Sequence, residues 1–462
     1  MLKLSDGRTA IRAMLTLAVP ISLQNLITFA VSFADNLMIG SLGDTAISAV
    51  YMGTQVQTFL QMAINGITTA MLVLVAQYWG KQDTGRIRQA ASIALRVALA
   101  VGAIATVLGI FFPRQVLSLL TPEEAVAAAA VPYLQITGAS FLFFAISQVL
   151  IAMLRGVENA RVGMYVSFGS LAINVVLNWV LIFGHLGFPA MGIQGAAVAT
   201  LISRIFEAAA ALFYALRIEK RLRWRISDLF RSVGPLARDF IRYGSPVIAG
   251  DVVWGVNLFC QSMIVGRLPE EAIAASSIMS MMSNLVYVWA TGLCSAVGIL
   301  TGKLVGAGDM ERIKPYARLV QKMFLGVGAA SGLLVFAIRG PFISLYDISP
   351  VAQDYANQLL ILLAVTIVGT CYQMTGLAGL VKAGGDTSFV FKNDTCFVFL
   401  VILPSAFLAL HFGAPVWVVM ACLKCDQILK CIVAAIKINR FRWMKNLTRP
   451  VEPSSQQEQA TA

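Results

Sequence analysis

Asp35 is the most conspicuous of the few ionisable residues that lie inside the long apolar stretches of this sequence. It belongs to residues 17–40, a run long enough to cross a bilayer, which a proline, Pro20, also interrupts. An ionisable group within hydrocarbon is unfavourable and therefore suggests a function. Because burial disfavours an ionised carboxylate, Asp35 could exchange a proton near neutral pH, while Pro20 removes an intrahelical hydrogen bond and can bend its helix. Alternatively, Asp35 is a structural carboxylate that has a partner or faces water.

Two asparagines and a threonine could form a polar cluster around this carboxylate. Asn174 and Asn178 are four residues apart and would share one face of a helix. Thr200 follows the small residues 195–199, which would let helices approach closely. These side chains could form hydrogen bonds with Asp35, or they could serve only to clamp neighbouring helices together.

A second polar group suggests a cavity for a bound molecule. Asp251 precedes Trp254 by three residues, and a carboxylate beside an indole could attract a cation through charge and cation–π interaction. Asp251 could equally be hydrogen-bonded to a neighbouring helix. Gln57 and Gln61 belong to a polar stripe with helical spacing, and Met282 belongs to a group of methionines that offers a soft surface. These residues are candidates for a substrate cavity, although methionine in a membrane helix also serves packing.

The elements that must position these residues are predicted to be membrane-spanning helices. The chain has 462 residues, of which 58% are hydrophobic and only 13% are charged. Its apolar runs have the length of transmembrane helices and lack the two-residue alternation of a barrel. We expect an all-α membrane protein with twelve spans near residues 13–39, 45–79, 90–112, 126–154, 163–185, 190–216, 240–266, 272–305, 316–339, 352–380, 389–411 and 414–436.

The distribution of basic residues predicts the orientation of these spans. The formal net charge is +12, and most of the 35 lysines and arginines fall in alternate loops and at the ends of the chain. The other loops keep only Arg114, Arg267 and Arg339. The positive-inside rule therefore places both termini in the cytoplasm. It also explains the basic balance without a nucleic-acid partner.

A duplication organises the whole chain. One constant offset aligns Pro20 with Pro246, Gly80 with Gly306, and a series of further identical residues. The repeat predicts an N-lobe over residues 1–216, a basic cytoplasmic linker over 217–239, a C-lobe over 240–440 and a cytoplasmic tail over 441–462 whose end is disordered. Because each lobe has six spans, the lobes would be related by a pseudo-twofold along the membrane normal. Such parallel repeats are typical of transporters that rock one lobe against the other.

The sequence lacks the motifs of several functional classes. It contains no Walker A motif, nucleophile elbow, HExxH motif or cluster of metal ligands. These absences argue against ATP-driven transport by this chain, against an enzyme and against a metal centre. We therefore expect no catalytic residue, no resident metal and no cofactor.

Five segments resemble the multidrug and toxic compound extrusion (MATE) family, and the resemblance covers nearly the whole chain. They are PISLQNLITFAVSFADNLMIGSLGDTAISAV at 20–50, AQYWGKQD at 76–83, LRGVENARVGMYVS at 154–167, INVVLNWVLIFGHLGFPAMGIQGAAVATLISR at 173–204, and the C-terminal DQILK and RWMKNL. The resemblance implies a secondary antiporter that exports amphipathic, often cationic small molecules in exchange for H⁺ or Na⁺. It implies a monomer in contact with lipid in a bacterial inner membrane.

The family pattern also assigns roles to individual residues. Asp35 matches the acid of the first helix and Pro20 the helix-bending proline, while Asn174, Asn178 and Thr200 match the cation-coupling cluster of the first lobe. Asn178 stands where that cluster has an acid, so Asp35 is its lone carboxylate. This difference favours coupling to one proton over a two-acid Na⁺ site.

The alternative function is a lipid-linked saccharide flippase of the same superfamily. A flippase cavity would need cations to hold a pyrophosphate. The predicted spans supply few of them, namely Arg204, Lys424 and Lys430.

Overall fold

The structure is a computed structural model that describes residues 7–40, 44–119, 124–231, 234–346 and 348–449. This part of the chain is helical and contains no strand, which confirms the all-α prediction. The predicted disordered end of the tail, residues 451–462, lies outside the described residues. So do parts of four loops and the first six residues of the chain.

Eleven helices in the described ranges are long and apolar enough to cross a membrane. They are α1 (Gly7–Gly40), α2 (Asp44–Gly80), α3 (Thr84–Phe111), α4 (Glu124–Gly156), α5 (Arg161–Phe183), α6 (Ile193–Ile218), α7 (Gly234–Val265), α8 (Glu270–Gly306), α9 (Met310–Ile343), α10 (Pro350–Lys382) and α11 (Thr387–His411). The twelfth predicted span is present as two shorter helices, Val416–Lys424 and Asp426–Asn439, which we call α12 together. Two short helices, Pro113–Ser118 and Ile226–Leu229, lie in connections.

The basic linker between the lobes is shorter than predicted, because α7 begins at Gly234 rather than at residue 240. The remaining linker packs against α3. Trp224 is buried and donates from Nε1 to the hydroxyl of Ser92 at 3.4 Å. Arg96 of α3 donates from Nε to the carbonyl oxygen of Leu229 at 2.5 Å.

The first half of each lobe's first helix packs against the other lobe. Met14 and Ile21 of α1 belong to the same buried apolar cluster as α8 to α12. Leu236 and Phe240 of α7 belong to the cluster formed mainly by α2 to α6. Because α1 and α7 are repeat partners, this packing follows the internal symmetry of the chain. The two lobes are therefore held together by four helices, α1, α2, α7 and α8.

One face of the molecule is closed by an unusually tight helix crossing. Gly80 at the end of α2 lies against the carbonyl of Lys303 in α8, and a Cβ atom at Gly80 would overlap that oxygen. Its repeat partner Gly306 lies against the carbonyl of Gln77 in the same way. Across this face Lys303 Nζ forms an ion pair with Glu158 at 2.8 Å. The lobes therefore touch at the end where α2 and α8 finish.

Candidate functional site

A cavity of about 410 Å³ lies within the first lobe, between α1, α2, α4, α5 and α6. It reaches from Gln24, near the middle of α1, to Ile39 near the end of that helix. The cavity therefore extends away from the closed face at Gly80 and Gly306. The structure brings five of the residues singled out in the sequence to its wall: Asp35, Gln57, Gln61, Asn174 and Thr200.

Asp35 is held in this cavity by the amide predicted from helical spacing. Asn178 donates a hydrogen bond from Nδ2 to Asp35 Oδ1, and the same nitrogen lies 3.3 Å from Asn174 Oδ1. Both asparagines are buried because α5 packs directly against α1. The Oδ1 atom of Asn178 is buried and accepts no hydrogen bond within the part of the chain that is described. An unused acceptor thus lies on the residue that contacts the carboxylate.

In the part of the chain that the structure describes, Asp35 has no acidic neighbours with which to form a metal site. Among the described residues, no group of three or more His, Cys, Asp or Glu side chains could hold a metal ion. Asp35 accepts the amide hydrogen bond of Asn178, and Asn174 and Thr200 line the same cavity. The chemistry of this cluster fits the binding of a proton or of one small monovalent cation.

The cavity also contains three charged residues that were not among the predicted site residues. Arg204 and Glu207 form an ion pair one turn apart in α6, with Arg204 Nη1 at 2.6 Å from Glu207 Oε2. Gln148 adds a hydrogen bond to Glu207 Oε1 at 3.3 Å. Arg155, in the last turn of α4, lies at the bottom of the cavity and donates from Nη2 to Gln24 Oε1 at 2.9 Å. The sequence contains no signal for this position, because a basic residue at the end of a span is also expected to point to the cytoplasm.

A smaller cavity of about 110 Å³ lies in the second lobe and contains the other predicted pair. Asp251 and Trp254 both line it, together with Lys382, Phe391 and Asp394. Lys382 lines this cavity together with the carboxylates of Asp251 and Asp394. Asp251 is thus brought together with Trp254 but not with the cluster around Asp35.

The remaining predicted site residues lie away from both cavities. Met282 is only 2% exposed and packs in the apolar core of the second lobe, so it lines neither cavity. Pro20 lies inside α1, which continues as one helix through it. Pro20 belongs to the half of α1 that packs against the second lobe, and its repeat partner Pro246 lines the cavity that contains Asp251.

Comparisons with known proteins agree with these observations. A family model described as MatE matches residues 20–180 and 251–408. A protein of Rhizobium meliloti named probable multidrug resistance protein NorM is 34% identical over 334 residues, which are 71% of this chain and 70% of that relative. Multidrug resistance protein PmpM of Pseudomonas aeruginosa is 27% identical over 397 residues, covering 84% of this chain and 82% of PmpM.

The fold has a close counterpart among solved structures. A crystal structure described as MATE in the bent conformation has a TM-score of 0.85 at 18% sequence identity, with 100% of this chain and 99% of that chain covered. This likeness confirms the predicted twelve-helix fold in two lobes. Together with the apolar helices, the matches show a multi-pass membrane protein.

Proposed function

The chain belongs to the MATE family of transporters, and from that premise we propose that it is a multidrug efflux antiporter that exports amphipathic drugs or metabolites in exchange for protons. Members of this family are transporters rather than enzymes. Two similar proteins, NorM of Rhizobium meliloti and PmpM of Pseudomonas aeruginosa, carry names that refer to multidrug resistance. The observation that carries the proposal is the contact between Asp35 and Asn178 inside a cavity of the first lobe.

We assign Asp35 as the residue that takes up the coupling proton. When Asp35 is ionised, it accepts the Asn178 amide hydrogen bond. When it is protonated, it gains an O–H donor, and the unused Oδ1 of Asn178 supplies an acceptor on the same side chain. The cluster can therefore satisfy both protonation states through a small rearrangement of one amide. Na⁺ could use the same oxygens, but a single carboxylate offers it only one full negative charge.

The charge of the cavity wall supports a drug antiporter over the flippase alternative. Two acids, Asp35 and Glu207, balance two guanidinium groups, Arg155 and Arg204, among the residues that line it. A pyrophosphate group would require an excess of positive charge. The remaining wall combines amides and hydroxyls with apolar side chains such as Phe144, which suits amphipathic small molecules.

The closed face supports alternating access by rocking of the lobes. The backbones of α2 and α8 approach each other very closely at Gly80 and Gly306, whereas the cavity extends toward the opposite side. Opening the crossing at Gly80 and Gly306 would expose the cavity to the other side of the membrane. We place this face and both termini in the cytoplasm of a bacterium, with the monomeric protein in its inner membrane.

Reconstituted transport tests this function directly. Purified protein in liposomes should move a cationic dye when a pH gradient is imposed, and it should not do so when only a Na⁺ gradient is imposed. A difference of one pH unit supplies about 1.4 kcal/mol per proton, which is enough for a dye gradient of about tenfold when one H⁺ exchanges for one singly charged dye. Dye movement driven by Na⁺ alone would show that the coupling ion is Na⁺ rather than H⁺. Absence of movement under both gradients would refute the antiporter.

A further inference from the structure

A groove of about 490 Å³ lies beside the first turns of α1, at the closed face and apart from the two cavities described above. Its volume is within the range of about 300–1,000 Å³ that is usual for small-molecule sites. The wall that α1 supplies includes two basic and two apolar residues, Arg8, Arg12, Ala13 and Leu17. The other side is formed by Glu158, in the connection after α4, and by Leu300 of α8. The groove therefore has walls from both lobes.

The end of the groove at the start of α1 is basic. Arg8 and Arg12 are four residues apart, so they share one side of the helix, and both are exposed. Neither forms an ion pair with any residue that the structure describes. The charge of Glu158 is balanced by Lys303, whose Nζ lies 2.8 Å from each carboxylate oxygen. The two arginines are therefore free to bind an anion.

The opposite end of the groove is apolar and borders the bilayer. It lies about 14 Å further along α1, where Leu17 is buried in the apolar core of the second lobe. Leu15 and Val19 follow Arg12 by three and seven residues, so they continue the side of the helix that carries the arginines. They are 48% and 44% exposed. Because α1 crosses the membrane, these side chains contact lipid chains.

We propose that this groove binds an anionic phospholipid, with the phosphodiester of its headgroup at Arg8 and Arg12 and an acyl chain along Ala13 and Leu17. Guanidinium groups present parallel N–H donors that match phosphate oxygens. Basic pockets between helices on the cytoplasmic side bind lipid headgroups, because the anionic lipids lie in that leaflet. A soluble anion such as inorganic phosphate would use the basic end alone and leave the apolar end empty.

The proposal rests on the cytoplasmic placement of the closed face, but it is independent of the transported substrate and of the coupling ion. Binding of lipid to the full-length protein in detergent tests it without any transport. Native mass spectrometry measures the affinity of the first bound lipid, for phosphatidylglycerol and for phosphatidylcholine with identical acyl chains. The wild type should bind phosphatidylglycerol at least tenfold more tightly, since each arginine near an anionic headgroup contributes a favourable charge interaction.

Two pairs of arginines provide matched variants. Arg8→Gln with Arg12→Gln should lower the affinity for phosphatidylglycerol by about tenfold or more and remove the preference over phosphatidylcholine. Arg238→Gln with Arg242→Gln is the control. Both of these arginines are exposed and four residues apart near the start of α7, outside the groove, and Arg238 is the repeat partner of Arg12. This control pair should bind phosphatidylglycerol like the wild type.

A further variant tests the position of the acyl chain. Ala13→Phe fills the apolar part of the groove and keeps both arginines, so it should weaken binding of phosphatidylglycerol several-fold. An equimolar amount of inorganic phosphate should not displace the lipid. A monodisperse elution profile shows that each variant is folded.

Four results would overturn the proposal: equal affinity of the wild type for the two lipids, equal losses in both arginine pairs, unchanged binding by Ala13→Phe, or displacement of the lipid by equimolar phosphate. The last result would assign the basic end to a soluble anion instead. Each of them would leave the antiporter function intact, because dye efflux by the wild type is measured separately. Failure of that efflux would refute the antiporter without affecting the lipid site.

Discussion

Among single residues, Asp35 is the one whose change should separate coupling from folding. Asp35→Asn keeps the shape of the side chain and can still contact Asn178, but it cannot take up a proton. We expect this variant to lose efflux driven by a pH gradient in proteoliposomes, while it still binds dye and purifies as a monodisperse protein. The exposed acid Asp354 in the first turns of α10 provides the control, and Asp354→Asn should transport like the wild type. Undiminished pH-driven efflux by Asp35→Asn would refute the coupling role.

Side-chain spacing explains which site residues the sequence could predict. The i, i+4 separation of Asn174 and Asn178 places both amides on one face of α5, and the contact of Asn178 with Asp35 follows once α5 packs against α1. The position of Arg155 in the cavity could not be predicted in the same way. A basic residue at the end of a span has the same sequence pattern whether it points to the cytoplasm or back into a cavity. Only the folded structure, in which Arg155 of α4 donates to Gln24 of α1, distinguishes the two.

Among helices, the crossing of α2 and α8 should be the most sensitive to a single methyl group. At Gly306 a Cβ atom would overlap the Gln77 carbonyl oxygen, which belongs to rigid backbone. Gly306→Ala should therefore push the helices apart, weaken the closed face and reduce efflux several-fold. Gly326→Ala in α9 is the matched control, because a Cβ atom there meets nothing within 4 Å.

The measurement for this pair is the distance between spin labels placed on the two lobes at the closed face. We expect the distance distribution to broaden toward longer values in Gly306→Ala and to remain unchanged in Gly326→Ala. A distribution in Gly306→Ala that matches the wild type would contradict the view that this crossing closes the face.

Helix number and order followed from hydropathy, but helix ends and interruptions did not. The start of α7 at Gly234 lies in a polar, basic segment, so its helical structure leaves no hydropathy signal. The sequence also gives no signal for the break in α12 at Cys425. That residue keeps helical dihedral angles of −63° and −30°, and only the hydrogen bonding changes. Long apolar runs report burial in lipid, whereas these details depend on contacts with other helices.

For the molecule as a whole, the chain after α12 connects the lobes in a way that the sequence did not predict. Residues 441–449 are predicted to begin a cytoplasmic tail. Instead Trp443 is fully buried in the second lobe, while Leu447 packs with the core of the first. Arg449 reaches Asp239 at the start of α7, with Nε at 2.5 Å from Oδ2. This segment, which we call the C-terminal strap, crosses the closed face.

An acidic residue between α10 and α11 anchors the strap to the second lobe. Asp386 accepts from Lys445 of the strap at 2.8 Å and from Lys437 of α12 at 2.7 Å. Burial by itself would raise the pKa of Asp386, but the hydrogen bonds and charges of the two lysines outweigh it and lower the pKa. A carboxyl group with a lowered pKa stabilises the fold above its unfolded pKa, and that contribution disappears as the pH falls through the folded pKa. The anchor is therefore fully ionised at neutral pH.

Gln77 of α2 is the residue through which the strap holds the first lobe. Its buried side chain donates from Nε2 to the carbonyl oxygens of Ala383 and Lys445, each at 3.3 Å, and accepts at Oε1 from the Leu447 amide at 2.8 Å. One side chain thus links α2 to the second lobe and to the strap. Gln77→Leu keeps its approximate size and removes all three hydrogen bonds.

Loss of these bonds should shift the molecule toward opening at the closed face. Since each bond contributes about 1 kcal/mol, the ratio of open to closed forms should rise by about tenfold or more, seen as a longer-distance population between spin labels on the two lobes. Gln321→Leu is the matched control, because Gln321 bonds only to Tyr372 and Asn439 of the second lobe and to its own helix within the described residues. An equal shift in both variants would show general destabilisation instead. If Gln77→Leu alone opens this face, rocking of the lobes must break the strap contact in every transport cycle, and the strap then sets part of the barrier between the two access states.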